Sequence, residues 1–141
     1  MKHWIGAVLF FVAGAAAMAG GTDKPWQGRF EGTGRACSGV LSLDAGVLSW
    51  RWRYGACAGR RYTTLQGMRE GNAAGLVARL SGSTSARCPY RVIEVEQADT
   101  YAWNVSGFPS LEAYENRDLP GWRDSPRPDR YVFSCLMTKV R

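Results

Sequence analysis

The sequence predicts an all-β fold, a small antiparallel barrel of about eight strands in up-and-down order, with two disulfides and one long loop insertion. Three observations carry that expectation. From Pro25 onward, short segments alternate apolar and polar residues between Gly-, Asp- and Asn-containing turns, and no long stretch shows helical periodicity. The stretch Cys37–Tyr54 reads as a hairpin whose two arms agree on which face is apolar. Four cysteines, Cys37, Cys57, Cys88 and Cys135, form an even set suited to two bridges.

Taken in order, the first strand runs from Trp26 through Phe30 to Gly32, with Gly28, Gly32 and Gly34 permitting the bending a small barrel needs. In the hairpin, a turn over Asp44–Val47 sets Leu43 opposite Leu48, Leu41 opposite Trp50, Gly39 opposite Trp52 and Cys37 opposite Tyr54. The other face then pairs Ser42 with Ser49, Val40 with Arg51 and Ser38 with Arg53. A one-residue slip mixes these faces, so burial selects the register. Strands four and five are expected at Arg60–Met68 and Leu76–Gly82 around a turn at Glu70–Ala73, with Leu65 opposite Leu80. Strands six and seven, Tyr90–Gln97 and Tyr101–Ser106, set Val95 against Trp103, Ile93 against Val105 and Glu94 against Asn104. The last strand, Arg130–Val140, places Tyr131, Phe133, Cys135 and Met137 on one side. The stretch 107–129 breaks this rhythm with prolines, glycines, Phe108 and Trp122. Ser110 is positioned to cap a short helix, Leu111–Glu115, ending before Pro120, and the insertion is expected to lie as a flap over one barrel end.

Lys2 and His3 precede an apolar run, Trp4–Ala17, and the small tripeptide Ala17-Met18-Ala19, the pattern of a secretory signal cleaved after Ala19. The run is short for a membrane span, which needs about 20 residues. Residues 1–19 are thus expected to leave, and 20–141 to form a single domain in the bacterial periplasm or outside the cell, with no transmembrane segment. Loss of Lys2 leaves 17 Lys and Arg against 12 Asp and Glu, and 15 of the 17 are Arg.

In an oxidising compartment the four cysteines pair. Cys57 with Cys88 is favoured because the two are symmetric about the turn at 70–73. Cys37 with Cys135 is favoured because both share a strand face with aromatics, and Cys37 with Cys57 is the rival. The spacings of 20, 31 and 47 contain no CxxC, so no metal knuckle or dithiol redox pair is indicated. His3 is the single histidine and leaves with the signal, which excludes a Ser/His/Asp triad and the usual zinc sites. No catalytic residue, metal or cofactor is assigned.

The interleaved Trp50-Arg51-Trp52-Arg53-Tyr54 invites a nucleic-acid reading, but strand alternation sends rings one way and guanidinium groups the other, so nucleic acid is disfavoured. Glu94 and Glu96, on one strand face with Glu112 or Glu115 able to approach, suggest a glycan hydrolase as a third-ranked reading. In strand number, disulfides and size the organisation resembles small secreted barrels, the lipocalin- and avidin-like proteins and the periplasmic lysozyme inhibitors. No family motif carries residues across. The leading expectation is a monomeric, exported, non-enzymatic binding domain holding its ligand in or at the mouth of the barrel, through Tyr114, Arg117, Trp122 and Arg123 on the insertion. The partner is a small molecule, an envelope glycan or another envelope protein. A protein-interaction or enzyme-inhibitor module is the alternative. If those four residues are contacts, replacing them leaves the fold intact; unfolding marks the loop as core.

Overall fold

A computed structural model describes residues 24–66, 74–122, 124 and 132–141. The expected signal at 1–19, the turn at 70–73, Arg123 and the first two residues of the expected last strand, Arg130 and Tyr131, lie outside these residues. Eight strands form a closed antiparallel barrel in sequence order: β1 (Gly28–Gly32), β2 (Gly39–Asp44), β3 (Val47–Trp52), β4 (Gly55–Gln66), β5 (Gly75–Leu80), β6 (Val92–Gln97), β7 (Ala102–Phe108) and β8 (Phe133–Val140). β8 returns to β1, with Phe30 opposite Lys139 and Gly32 opposite Met137. Closure leaves no strand edge to pair with another chain.

The β2–β3 hairpin has the expected register, Leu41 opposite Trp50, Ser42 opposite Ser49 and Leu43 opposite Leu48. Its turn is set by Gly46, whose φ of +78° lies in the left-handed region. The match stops at Trp52. Arg53 and Tyr54 form a two-residue turn and β4 begins at Gly55, five residues before the expected start, so Cys37 does not face Tyr54. Gly55 is the residue that allows this turn: a Cβ there would collide with the Trp52 ring and come within 2.6 Å of the Arg87 carbonyl.

Two further registers differ from expectation. Tyr62, not Leu65, faces Leu80, and a bulge between Thr64 and Gln66 leaves Leu65 exposed. Val95 faces Val105 and Ile93 faces Gly107, a two-residue offset from the expected pairing, and Glu94 faces Ser106. The offset preserves the apolar face, so alternation does not distinguish the two registers. Gly107 accounts for the observed one. The Tyr90 ring lies on it, and an added Cβ would come within 2.7 Å of that ring.

Inward side chains fill the barrel. Phe30, Leu41, Leu43, Leu48, Trp50, Ile93, Val95 and Val105 are fully buried, with Trp103, Cys135 and Met137 nearly so. One end is stoppered by the turn at 24–27, which places Trp26 in the core. There the Lys139 ammonium donates to the Pro25 carbonyl at 2.6 Å and lies 5.7 and 5.9 Å from the Phe30 and Trp103 ring centroids.

The insertion takes a different course from a flap over the barrel end. Ser110 caps the helix α1 (Leu111–Glu115) as expected, its hydroxyl accepting from the Ala113 amide at 3.0 Å. The helix lies against the outside of the wall. Val77, Val92 and Phe108 point outward from β5, β6 and β7, and with Ala113 and Tyr114 they form a second apolar cluster, flanked by Leu111 and Trp122. Three large outward side chains on adjacent strands need cover, which holds the helix on the wall.

Candidate functional site

Both disulfides form at the same end of the barrel, in the expected pairing. Cys37, just before β2, bonds Cys135 near the start of β8, and Cys57 near the start of β4 bonds Cys88, just before β6. The 70–73 symmetry that suggested Cys57–Cys88 is only approximate. Cys88 lies in the β5–β6 loop, brought beside β4 by the Ala56 amide donating to the Arg87 carbonyl at 2.8 Å. Thus one bridge fastens the β1–β2 loop to the wall, and the other fastens the β5–β6 loop. Between them runs the Arg53-Tyr54 turn.

The floor of this end is aromatic. Trp50 stacks on Phe133 at 5.4 Å and on Tyr90 at 5.8 Å, while Trp52 lies 5.4 Å from Tyr90 and 5.8 Å from Phe133. Tyr90 and Phe133 are near-parallel, 6.2 Å apart and half-buried, so their upper faces reach the mouth. Burial pushes the Tyr90 phenol above its ordinary value of 10.0, and at neutral pH it is a neutral O–H.

Around this floor stand three exposed arginines, Arg35 on the β1–β2 loop, Arg53 on the β3–β4 turn and Arg87 on the β5–β6 loop. None has an acidic partner among the described residues. The loops are neighbours. Gly39, at the foot of the first, lies against the Arg51–Trp52 backbone closely enough that a Cβ would be 2.8 Å from Trp52 Cα, and Arg87 bonds Ala56. Tyr54 projects from the middle turn, 67% exposed, with the Arg53 guanidinium 5.9 Å from its ring centroid.

Sequence reasoning missed this set because 15 arginines spread along the chain read as a solvated surface. The available signal was spacing from the disulfides: Arg35 is two residues before Cys37 and Arg87 one before Cys88.

Of the insertion residues chosen from the sequence, Tyr114, Arg117 and Trp122 fall beside this mouth, on the outer wall. The structure brings Tyr114, Arg117 and Trp122 into one cluster. Tyr114 is 8% exposed and meets Phe108 edge-on at 5.2 Å. The Arg117 guanidinium covers the Tyr114 ring at 4.0 Å, donates to the Tyr114 carbonyl at 2.7 Å and lies 3.7 Å from Asp118. The Trp122 indole nitrogen is buried without a partner among the described residues. Tyr114→Ala is therefore expected to destabilise the domain by about 3 kcal/mol through the cavity it leaves. Urea denaturation checks this, and an unchanged midpoint would show that the helix is not held by the ring.

Glu94 and Glu96, the pair suggested for glycan hydrolysis, lie on the outer face of β6 beside Ser106 and Asn104, away from the mouth. No family model, curated protein or solved structure matches the chain. Fold and site together define the class as a small disulfide-clamped up-and-down β-barrel with an aromatic, arginine-rimmed mouth.

Proposed function

We propose that this protein is an exported, non-enzymatic binding domain that holds an anionic ligand at the mouth of its barrel. Arg35, Arg53 and Arg87 supply the charge, and Tyr90 and Phe133 the floor. Arg117 and Trp122 stand at one side, fixed by Tyr114 beneath them. The observation that carries the reading is the placement of three arginines, without acidic partners among the described residues, on three loops at one end of the barrel, two of them fastened by disulfides. Loops already braced by disulfides pay little further backbone ordering on binding, so more of the interaction energy appears as affinity. Guanidinium groups match oxyanions in geometry as well as charge. Two disulfides also fit an oxidising compartment. Among the described residues no helix is long and apolar enough to cross a membrane.

The test is calorimetric titration with digalacturonate and with a heparin disaccharide, using the wild type and an Arg35→Ser/Arg53→Ser/Arg87→Ser variant. Affinity for at least one probe should fall by about a hundredfold in the variant, from two lost charge-assisted contacts of about 1.4 kcal/mol each. Equal affinities in the two proteins would remove the mouth as the site.

A second reading, an inhibitor module that inserts one rigid loop into a partner enzyme, is favoured by Tyr54, which stands at the tip of a two-residue turn flanked by both bridges. A stoichiometric envelope protein retained by the wild type and lost with Tyr54→Ala would select it over the small-ligand reading.

A further inference from the structure

The charge does not end at the mouth. Arg51 lies two residues below Arg53 on the outward face of β3, opposite Ala56 on β4, and further down the same wall Arg61 lies opposite Val47. Arg51 and Arg61 are exposed and have no acidic partner among the described residues. At the strand rise, Arg53 and Arg61 are separated by about 20 Å along the wall.

Beside Arg51 the wall is hollowed into a groove of ≈ 320 Å³ whose lining includes Arg29, Ser42, Ser49, Arg51, Ala56 and Ala58, and Arg61 stands further along the same wall, opposite Val47. The Ser49 oxygen accepts from the Gly59 amide at 2.8 Å, which leaves its O–H to donate outward. Arg29, on the far bank, is held by Glu31 at 3.1 Å, so the net charge of the track lies on the β3–β4 side.

We infer that the outer groove of β2–β4 continues the mouth as a binding track for an anionic glycan, so that the ligand is an extended chain. This rests on the mouth reading and names its ligand class. Hydroxyl donors between guanidinium groups suit a chain that carries both hydroxyls and oxyanions. A single-stranded nucleic acid needs exposed rings on which to stack, but Trp50 and Trp52 turn inward from this wall. Carboxylate and sulfate both offer the required oxyanion.

The experiment measures affinity against chain length for oligogalacturonates and for heparin fragments, two to eight sugars long. A single-stranded DNA oligomer of matched charge is the comparison. The proteins are the full-length processed wild type, Arg51→Glu/Arg61→Glu and Arg51→Lys/Arg61→Lys, each first verified as folded by its near-ultraviolet dichroism.

In the wild type, affinity should rise about tenfold or more from disaccharide to hexasaccharide, one added 1.4 kcal/mol contact being sufficient. Which series rises identifies the oxyanion. The Glu variant should bind the disaccharide as the wild type does and show no gain with length. The Lys variant should keep part of the gain, and raising the salt should diminish it.

A wild-type affinity independent of length, or a Glu variant with the full gain, overturns the track while leaving the mouth intact. Loss of disaccharide binding with the hexasaccharide still dependent on Arg51 and Arg61 removes the mouth instead. Tighter binding of the DNA than of any glycan of equal charge, or no glycan binding at all, overturns the assignment.

Discussion

Removing the Cys37–Cys135 bridge by replacing both residues with Ala is expected to lower the unfolding free energy by about 4–5 kcal/mol. The bridge closes a loop of 98 residues, whose ends are otherwise free in the unfolded chain, and the cost of closing such a loop grows with the logarithm of its length. The same change at Cys57 and Cys88, which close 31 residues, is expected to cost about 3.7 kcal/mol. Ala is the informative replacement. Cys57 and Cys135 are buried, and a Ser hydroxyl there would add the cost of an unpaired polar group to the lost bridge. A domain of this size has about 5–15 kcal/mol in all, so loss of both bridges should leave it largely unfolded at 37 °C. Denaturant unfolding of the two pairwise variants, and of the wild type with and without a reductant, measures each value. A Cys37/Cys135 variant within about 1 kcal/mol of the wild type would show that the barrel, not the bridge, holds the mouth loops together.

Trp50→Ala is the second large effect, about 3–5 kcal/mol from the lost ring and the cavity left behind. Trp50 is 0% exposed and stacks against Trp52, Tyr90 and Phe133, with centroids 5.1 to 5.8 Å away. Such ring pairs add about 0.5–1.5 kcal/mol each beyond area burial. The indole nitrogen of Trp50 has no hydrogen-bond partner among the described residues, so Trp50→Phe removes a buried, unpaired donor along with some volume. That substitution should cost less than about 1.5 kcal/mol, as volume-near apolar exchanges do. The contrast tests the packing directly. If Phe proves as damaging as Ala, the nitrogen holds a partner in solution and the floor of the mouth is polar at its centre.

The two experiments address the same structure from opposite sides. The disulfides act mainly on the unfolded chain and the rings on the folded one, and both converge on one end of the barrel. The opposite end is closed by Trp26 and Lys139, without a bridge.

Much of the fold was legible in the residues. The Leu41–Trp50 and Leu43–Leu48 pairs, the cap at Ser110 and the strand count follow from alternation and capping chemistry, which are local properties, and the bridges that form are the pairing the residues favoured over Cys37 with Cys57. The two register failures have different causes. Val95 against Trp103 satisfies alternation as well as the pair that forms, because a shift of two residues keeps every side chain on its own face, whereas Leu65 misses Leu80 by three residues and is turned to the outside at a bulge that alternation does not foresee. Deciding between them needed information from elsewhere in the chain: the Tyr90 ring over Gly107, and the bulge beside Gln66.

The candidate site was legible only in part. Tyr114 and Trp122 were selected as large side chains in a loop, where an aromatic is as readily a packing residue as a contact. The outward Val77, Val92 and Phe108 that bury Tyr114 come from three different strands.

The sequence by itself determined that the chain alternates, which residues of the β2–β3 hairpin turn inward, that four sulfurs pair and that no histidine remains after the expected cleavage, because burial and redox state act on each segment where it stands. Tertiary structure alone decided that Arg35, Arg53 and Arg87 stand on loops at one end, that α1 lies on the wall and that Arg51 lines the outer groove with Arg61 further along it. Those relations arise when β8 closes on β1, since closure fixes which loops become neighbours, and no segment carries that information on its own.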